Sequence, residues 1–222
     1  MVIIGVMQNI IETIREMIIT GELIPGQKLN ESALAAQFNI SRPPLREAFR
    51  ILENDFLVVS IPRKGCYVTN ISIEDFWKLL EARAMIESYA IDILKQKNAK
   101  SVFADPGNEI TIDEEVPSAW ETIEKKERLK YLNHLTKFHA ILVQSTGNSL
   151  LVRFRQTLVY SFARYQYKYP YSVESYNVNR EFHRQIKRHI ELGAFDTAKA
   201  ILQDHLRTFG ERLERKMMDK CT

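Results

Sequence analysis

Apolar residues recur at helical spacing over most of this chain, and only the stretch between 57 and 69 departs from it toward strand. Ile10, Ile14, Met17 and Ile18 form an i, i+4, i+7, i+8 stripe, which predicts an amphipathic helix over 7–19. Gly21 ends it and Pro25-Gly26 turns the chain. Asn30 is placed to cap a short helix over 31–37, with Leu34 and Ala35 inward. Phe38-Asn39-Ile40 then forms a tight turn, because asparagine tolerates the left-handed conformation. Ser41 is the expected cap of the next helix, with Pro43 and Pro44 in its first turn, where a missing N–H costs little. Leu57–Ser60 and Cys66–Thr69 read as two short strands, with Ile61–Gly65 turning between them.

From residue 73 the pattern is helical. Leu79, Leu80, Arg83, Ile86, Ala90 and Ile93 mark a long helix over 73–97. Residues 98–116, with Asp105-Pro-Gly-Asn, break the period and read as an irregular connection. Further helices are expected at 117–145, 148–167, 175–192 and 194–219. The expected fold is therefore mainly α: a winged helix-turn-helix over 1–72 joined to an all-α bundle over 73–222.

Polar positions then locate the chemistry. On the helix after Ser41, Arg42, Arg46 and Arg50 fall at i, i+4 and i+8, one face, while Leu45, Phe49 and Leu52 take another. Such a helix packs on a domain through one side and offers a cationic row to a DNA groove through the other. Its first residues, Ser41 and Arg42, are expected deepest, with Arg46 able to pair bidentately with guanine. Arg63 and Lys64, at the tip between the strands, are expected to hold phosphate or enter a narrow minor groove. Arg50, near Glu47 and Glu53, equally suits a solvated ion pair.

Bulk composition adds little to this. The net charge is +3, and residues 1–72 hold seven basic and seven acidic side chains, so only the local arrangement is basic. Cys66 and Cys221 form neither a metal spacing nor a disulfide framework, which fits reduced thiols in a cytoplasmic protein. Val2–Val6 lacks the features of a signal peptide and no run approaches the ~20 apolar residues of a membrane span, so no membrane partner is expected.

Gly21–Gly26, Leu29–Glu31, Leu34-Ala35, Ser41–Ala48, Leu52-Glu53 and Gly65 together resemble the winged helix-turn-helix of GntR-type bacterial transcription regulators. The resemblance implies that Arg42 and Arg46 contact bases or phosphates and that Gly65 lies against the minor groove. Pro43 falls in the same motif. Members often carry an arginine where this chain has Ser32, which implies a different operator preference.

Histidine placement is the second signal. His139 shares a helix face with Leu135, Leu142 and Val143, His183 with Ile186 and Ile190, and His205 with Ile201, Leu202 and Phe209, whereas His134 and His189 fall off those faces. Three inward imidazoles suit a divalent metal; hydrogen bonds to an effector are the alternative. Phe138-His139, Gly147-Asn148, Phe182-His183 and Asp204-His205 resemble the FadR-type effector domain called FCD, over about residues 73–215. That resemblance implies Zn, Ni or Mn on the three histidines, with a carboxylate ligand one turn before the first. Leu135 stands at that position here. Arg83 on the apolar stripe either clamps an effector carboxylate or pairs with Glu87 at i+4. The aromatic run Tyr160, Phe162, Tyr165, Tyr167, Tyr169, Tyr171 reads as packing and dimer contact rather than a cofactor box.

These features together predict a regulator, not an enzyme: a homodimer on a pseudo-palindromic duplex, modulated by a small organic acid. The alternatives are a constitutive DNA binder and a metal-dependent enzyme, and the latter lacks a glutamate placed as an evident general base and leaves the winged helix unexplained.

Overall fold

The computed structural model describes residues 2–103, 124–170 and 172–219; inside these, the side chains of residues 2–5 and of several residues early in the fifth helix, Leu135 among them, are not described. The elements run α1 (Val2–Ile19), α2 (Glu31–Gln37), α3 (Arg42–Asn54), β1 (Val58–Ile61), β2 (Gly65–Val68), α4 (Ile73–Gln96), α5 (Lys125–Gln144), α6 (Ser149–Lys168), α7 (Val173–Glu191) and α8 (Phe195–Asp219). The fold is mainly α with one small wing, as the periodicity implied. Asp105-Pro-Gly-Asn, the start of the helix expected from 117, Tyr171 and Cys221 lie outside the described residues.

Two compact units emerge: Met1–Ser72 with Gln156–Lys168, and Ile73–Arg155 with Tyr169–Thr222. In the first, Ile11, Ile14, Leu45, Leu52 and Leu57 are fully buried and form the core with Leu34, Ala48, Phe49 and Val68. Burial raises the thiol of Cys66, in the same core, to about 11, so it stays protonated at neutral pH. Arg15 of α1 donates through Nε to Asp55 Oδ2 at 2.9 Å, and its guanidinium lies 4.2 Å from the Tyr160 ring centroid. The second half of α6 thus belongs to the winged-helix unit. Ser161 Oγ bonds the Asp55 carbonyl, Arg164 donates to Thr69 Oγ1 and to the Thr69 carbonyl at 2.6 and 2.7 Å, and Tyr165 OH donates to the Ser72 carbonyl. Phe162 and Tyr165 are buried by this packing, and Tyr169 is buried in the other unit.

Ser41 corrects one local expectation. It occupies the cap position of α3 with extended backbone, yet its side chain makes no capping hydrogen bond. A capping hydroxyl accepts from the second or third helical N–H, and those residues are Pro43 and Pro44, which have none. Asn30 behaves as expected and accepts from the amides of Ser32 and Ala33.

In the second unit, α8 packs against α4 and α7. At Gly210 of α8 the side chains of α4 pack directly on the helix, and an added Cβ would lie 2.6 Å from both Leu80 Cδ2 and Trp77 Cη2. No described helix is long and apolar enough to cross a membrane.

Candidate functional sites: an arginine-bearing helix with its wing, and a histidine cluster

The α3 helix buries Leu45, Ala48, Phe49 and Leu52 and leaves Ser41, Arg42, Pro43, Arg46 and Arg50 exposed. Arg46 Nε lies 2.9 Å from Glu31 Oε2 at the start of α2, and Arg50 Nη1 lies 3.1 Å from Glu47 Oε2. Both pairs are solvent-facing and worth about 0–1 kcal/mol, so a phosphate or base edge exchanges for them at low cost. The wing pairs β1 and β2 antiparallel, with Ile61 opposite Gly65, one residue further along each strand than the turn expected between them. Pro62, Arg63 and Lys64 form the exposed tip. Arg63 adopts a left-handed backbone, φ 62°, and Gly65 a φ of 108°, so a side chain at Gly65 would be strained and would crowd Lys28 at 3.2 Å.

Three helices of the second unit bring His139 (α5), His183 (α7) and His205 (α8) together. Their Nε2 atoms form a triangle with edges of 3.0, 3.2 and 3.3 Å, and all three residues are buried. Imidazoles ~2.0–2.1 Å from one ion stand about 2.8–3.0 Å apart in cis octahedral positions and about 3.3–3.4 Å apart in tetrahedral ones, which brackets the three edges. The donor set fits a divalent metal. Stacking holds the rings: His183 lies on Phe138 at 4.2 Å and His139 parallel to His205 at 5.2 Å. Burial, then the charges of Arg83, His183 and Arg155, hold His139 well below the usual histidine range. His205 is lowered likewise by burial, then by its two histidine neighbours and Arg83. Neutral imidazole is the metal-binding form.

Sequence reasoning missed the group that orients this cluster. Glu87 of α4 is fully buried; its Oε2 lies 2.7 Å from His139 Nδ1, and its Oε1 accepts from Arg83 Nε at 2.8 Å. Arg155 Nε is 3.7 Å from the same Oε1, and burial lowers that guanidinium to about 10, still charged at neutral pH. With Nδ1–H given to Glu87, the lone pair of His139 Nε2 faces the other two nitrogens. Carboxylate–histidine pairs of this kind set tautomer and ring orientation in metal sites. Arg83 therefore makes the intrahelical pair, the second of its two expected roles. His189 turns to the Gln185 carbonyl, away from the cluster.

The chain thus joins a winged helix with an exposed arginine row to a helical unit enclosing three histidines. Residues 7–68 match the model of the bacterial regulatory proteins of the gntR family, and residues 78–208 match that of the FCD domain. The chain belongs to the gntR family and carries an FCD domain. The HTH-type transcriptional repressor GlaR of Escherichia coli is 26 % identical over 200 residues, 86 % of this chain and 88 % of that protein. YdhC of Bacillus subtilis, an uncharacterized HTH-type transcriptional regulator, is 28 % identical over 136 residues, 61 % of this chain and 58 % of its own. The gluconate operon transcriptional repressor of Bacillus licheniformis is 24 % identical over 139 residues, 63 % of this chain and 54 % of its own. The match thus spans little more than half the length of these last two relatives. Among solved structures, a GntR-type chain from Rhodococcus sp. RHA1 superposes with a TM-score of 0.67 at 19 % identity, covering 93 % of this chain and 96 % of that one. E. coli McbR/YncC gives 0.66 at 14 % identity, covering 96 % and 98 %. These two share the fold. The family and the named relatives are regulators, not enzymes.

Proposed function

We propose that this chain is a ligand-responsive transcription repressor that acts in the cytoplasm on a pseudo-palindromic operator as a homodimer of FadR type. The exposed Arg42–Arg46–Arg50 row carries this reading, together with a Ser41 hydroxyl that the two prolines leave unspent at the helix start. Ser41, Arg42 and Arg46 read base edges; Pro43 lies against the groove wall; Arg50, Arg63 and Lys64 hold phosphate, and Gly65 lets the wing backbone approach the duplex. The names of GlaR and of the gluconate operon protein support repression as the sign of the effect.

In the helical unit, His139, His183 and His205 would hold a zinc or nickel ion, oriented through Glu87. Such an ion, when bound, supplies a Lewis-acidic docking point for an effector carboxylate. Arg83, steadied by Glu87, is the proposed second contact for that organic acid. The reading requires the effector to favour one arrangement of the protein over another. The α6 helix is the candidate carrier, since Ser149–Arg155 belong to the helical unit and Gln156–Lys168 to the winged-helix unit.

One copy supplies one recognition helix. Met85 and Tyr89, 68 % and 51 % exposed on one face of α4, are the proposed centre of the dimer contact. Selection of genomic fragments, followed by footprinting, is expected to return an inverted repeat with half-sites about one helical turn apart. Sedimentation of the full chain is expected to show a dimer that Tyr89→Glu weakens. A monomer occupying a single unrepeated site would contradict the dimer reading while leaving DNA binding intact.

A further inference from the structure

The arginines of the α3 row differ in how their guanidinium groups are engaged. Arg42 makes no hydrogen bond or ion pair among the described residues. Arg50 gives a terminal nitrogen, Nη1, to Glu47 Oε2 at 3.1 Å. Arg46 instead gives its inner nitrogen, Nε, to Glu31 Oε2 at 2.9 Å, and neither of these two side chains makes another hydrogen bond or ion pair among the described residues. A guanidinium carries one N–H on Nε and the rest on its two Nη. The Nη1–Nη2 edge is one that can grip guanine O6 and N7 together. That edge is open on Arg46 and part-used on Arg50.

Glu31 is the better-held partner of the pair. It is the first residue of α2 and follows Asn30, whose side chain accepts from the Ser32 and Ala33 amides at 3.0 and 3.1 Å, while Leu34 and Ala35 bury the far side of the helix. Its side chain is 27 % exposed against 63 % for Arg46. A free arginine side chain has about 2 kcal/mol of rotamer freedom to lose when it docks. A partner that orients it beforehand removes part of that cost. An exposed pair steadies Arg46 without locking it, and guanine need not displace Glu31, because it takes the other edge.

We propose that Glu31 is a positioning residue for base recognition: it holds Arg46 by Nε and so presents the Nη1–Nη2 edge to a guanine. This role rests on the reading of Arg46 as a base contact and adds to it a residue of a second helix that sets specificity. Charge and geometry separate cleanly. The carboxylate repels phosphate on every duplex alike, so its charge alters affinity for all DNA together. Its grip on Nε alters only the ratio between a selected site and unrelated DNA.

Titration of the full chain on a selected genomic site and on an unrelated duplex, at fixed salt, tests it with Glu31→Ala, Glu31→Gln, Arg46→Ala and the Glu31→Ala/Arg46→Ala double variant. Both Glu31 variants remove the charge, and affinity for unrelated DNA should rise about 2- to 5-fold in each, the scale of one exposed charge. Only glutamine keeps an oxygen that accepts from Nε. Glu31→Ala should therefore lower the ratio of selected to unrelated affinity about 3- to 10-fold, a part of what a guanine-reading arginine contributes, while Glu31→Gln stays within about twofold of the parent ratio. In the Arg46→Ala background Glu31→Ala should leave the ratio unchanged, because it acts only through that arginine. Each variant should melt close to the parent. An unchanged ratio in Glu31→Ala, an equal fall in Glu31→Gln, or a fall that persists without Arg46 would each overturn the role, and a loss of ratio in Arg46→Ala would then leave the base contact standing. If Arg46→Ala itself kept the full ratio, the reading of Arg46 would fall and the role of Glu31 with it.

Discussion

His139 Nδ1 and Glu87 Oε2 stand 2.7 Å apart, both side chains buried, and the same carboxylate faces Arg83 and Arg155. Glu87 thereby sets which nitrogen of His139 is left for a metal and offsets two buried guanidinium charges. Glu87→Gln keeps the shape and removes the charge. Zinc affinity, measured by competition with a chromophoric chelator, should fall about 10- to 100-fold. Melting should show a loss on the order of 3 kcal/mol, because two buried cations lose their anion. Unchanged zinc affinity would leave Glu87 as a purely structural counter-ion.

The helical backbone runs unbroken through α5, so residue 135 lies one turn before His139. Leu135→Asp places a carboxylate one turn before His139, where it can serve as a fourth ligand, and it should tighten zinc binding in calorimetry. His183→Ala removes one corner of the triangle and should abolish it. Wild-type protein that stays metal-free at saturating zinc, with the aspartate variant no better, would make the three histidines direct effector contacts.

Arg164 holds Thr69 by two hydrogen bonds from a largely buried guanidinium, which burial lowers to about 10 and leaves charged at neutral pH. Arg164→Met should cost roughly 1–3 kcal/mol in denaturant unfolding, since the Thr69 carbonyl loses its charged donor. It should also raise the proteolytic sensitivity of the segment around Thr69. A variant as stable and as protease-resistant as the parent would show that α6 is not anchored there.

Gly210 of α8 lies under α4 side chains, and a methyl group there would meet the Trp77 ring and Leu80. Gly210→Ala gains helix propensity, yet overpacking should outweigh it and destabilise the chain by about 1–3 kcal/mol. A rise in melting temperature would contradict the close approach.

Much of this was legible in the sequence, because local chemistry carried it. The proline pair, the arginine spacing and the Asn30 cap are written within a few residues of one another, and three inward histidines can be read from helical period alone. Glu87 was not legible as the partner of His139, since the two are far apart in the chain and i+4 spacing pointed only to Arg83. The division of α6 was hidden for a related reason: periodicity shows that a face is buried, never against what. Ser41 misled because its residue type favours capping while its prolines remove the amides a cap needs.

The reading of α3 as the DNA-contacting helix is tested most directly by titrating a selected genomic site with wild-type protein and with Arg46→Ala, at fixed salt. Arg46 is exposed and, among the described residues, is held by a surface pair to Glu31, so the variant should fold normally. A base-reading arginine contributes about 1–3 kcal/mol of discrimination. The expected result is a loss of roughly 5- to 150-fold on the selected site, with little change on unrelated DNA. Unchanged affinity for the selected site would contradict the assignment of α3 as the helix that reads DNA.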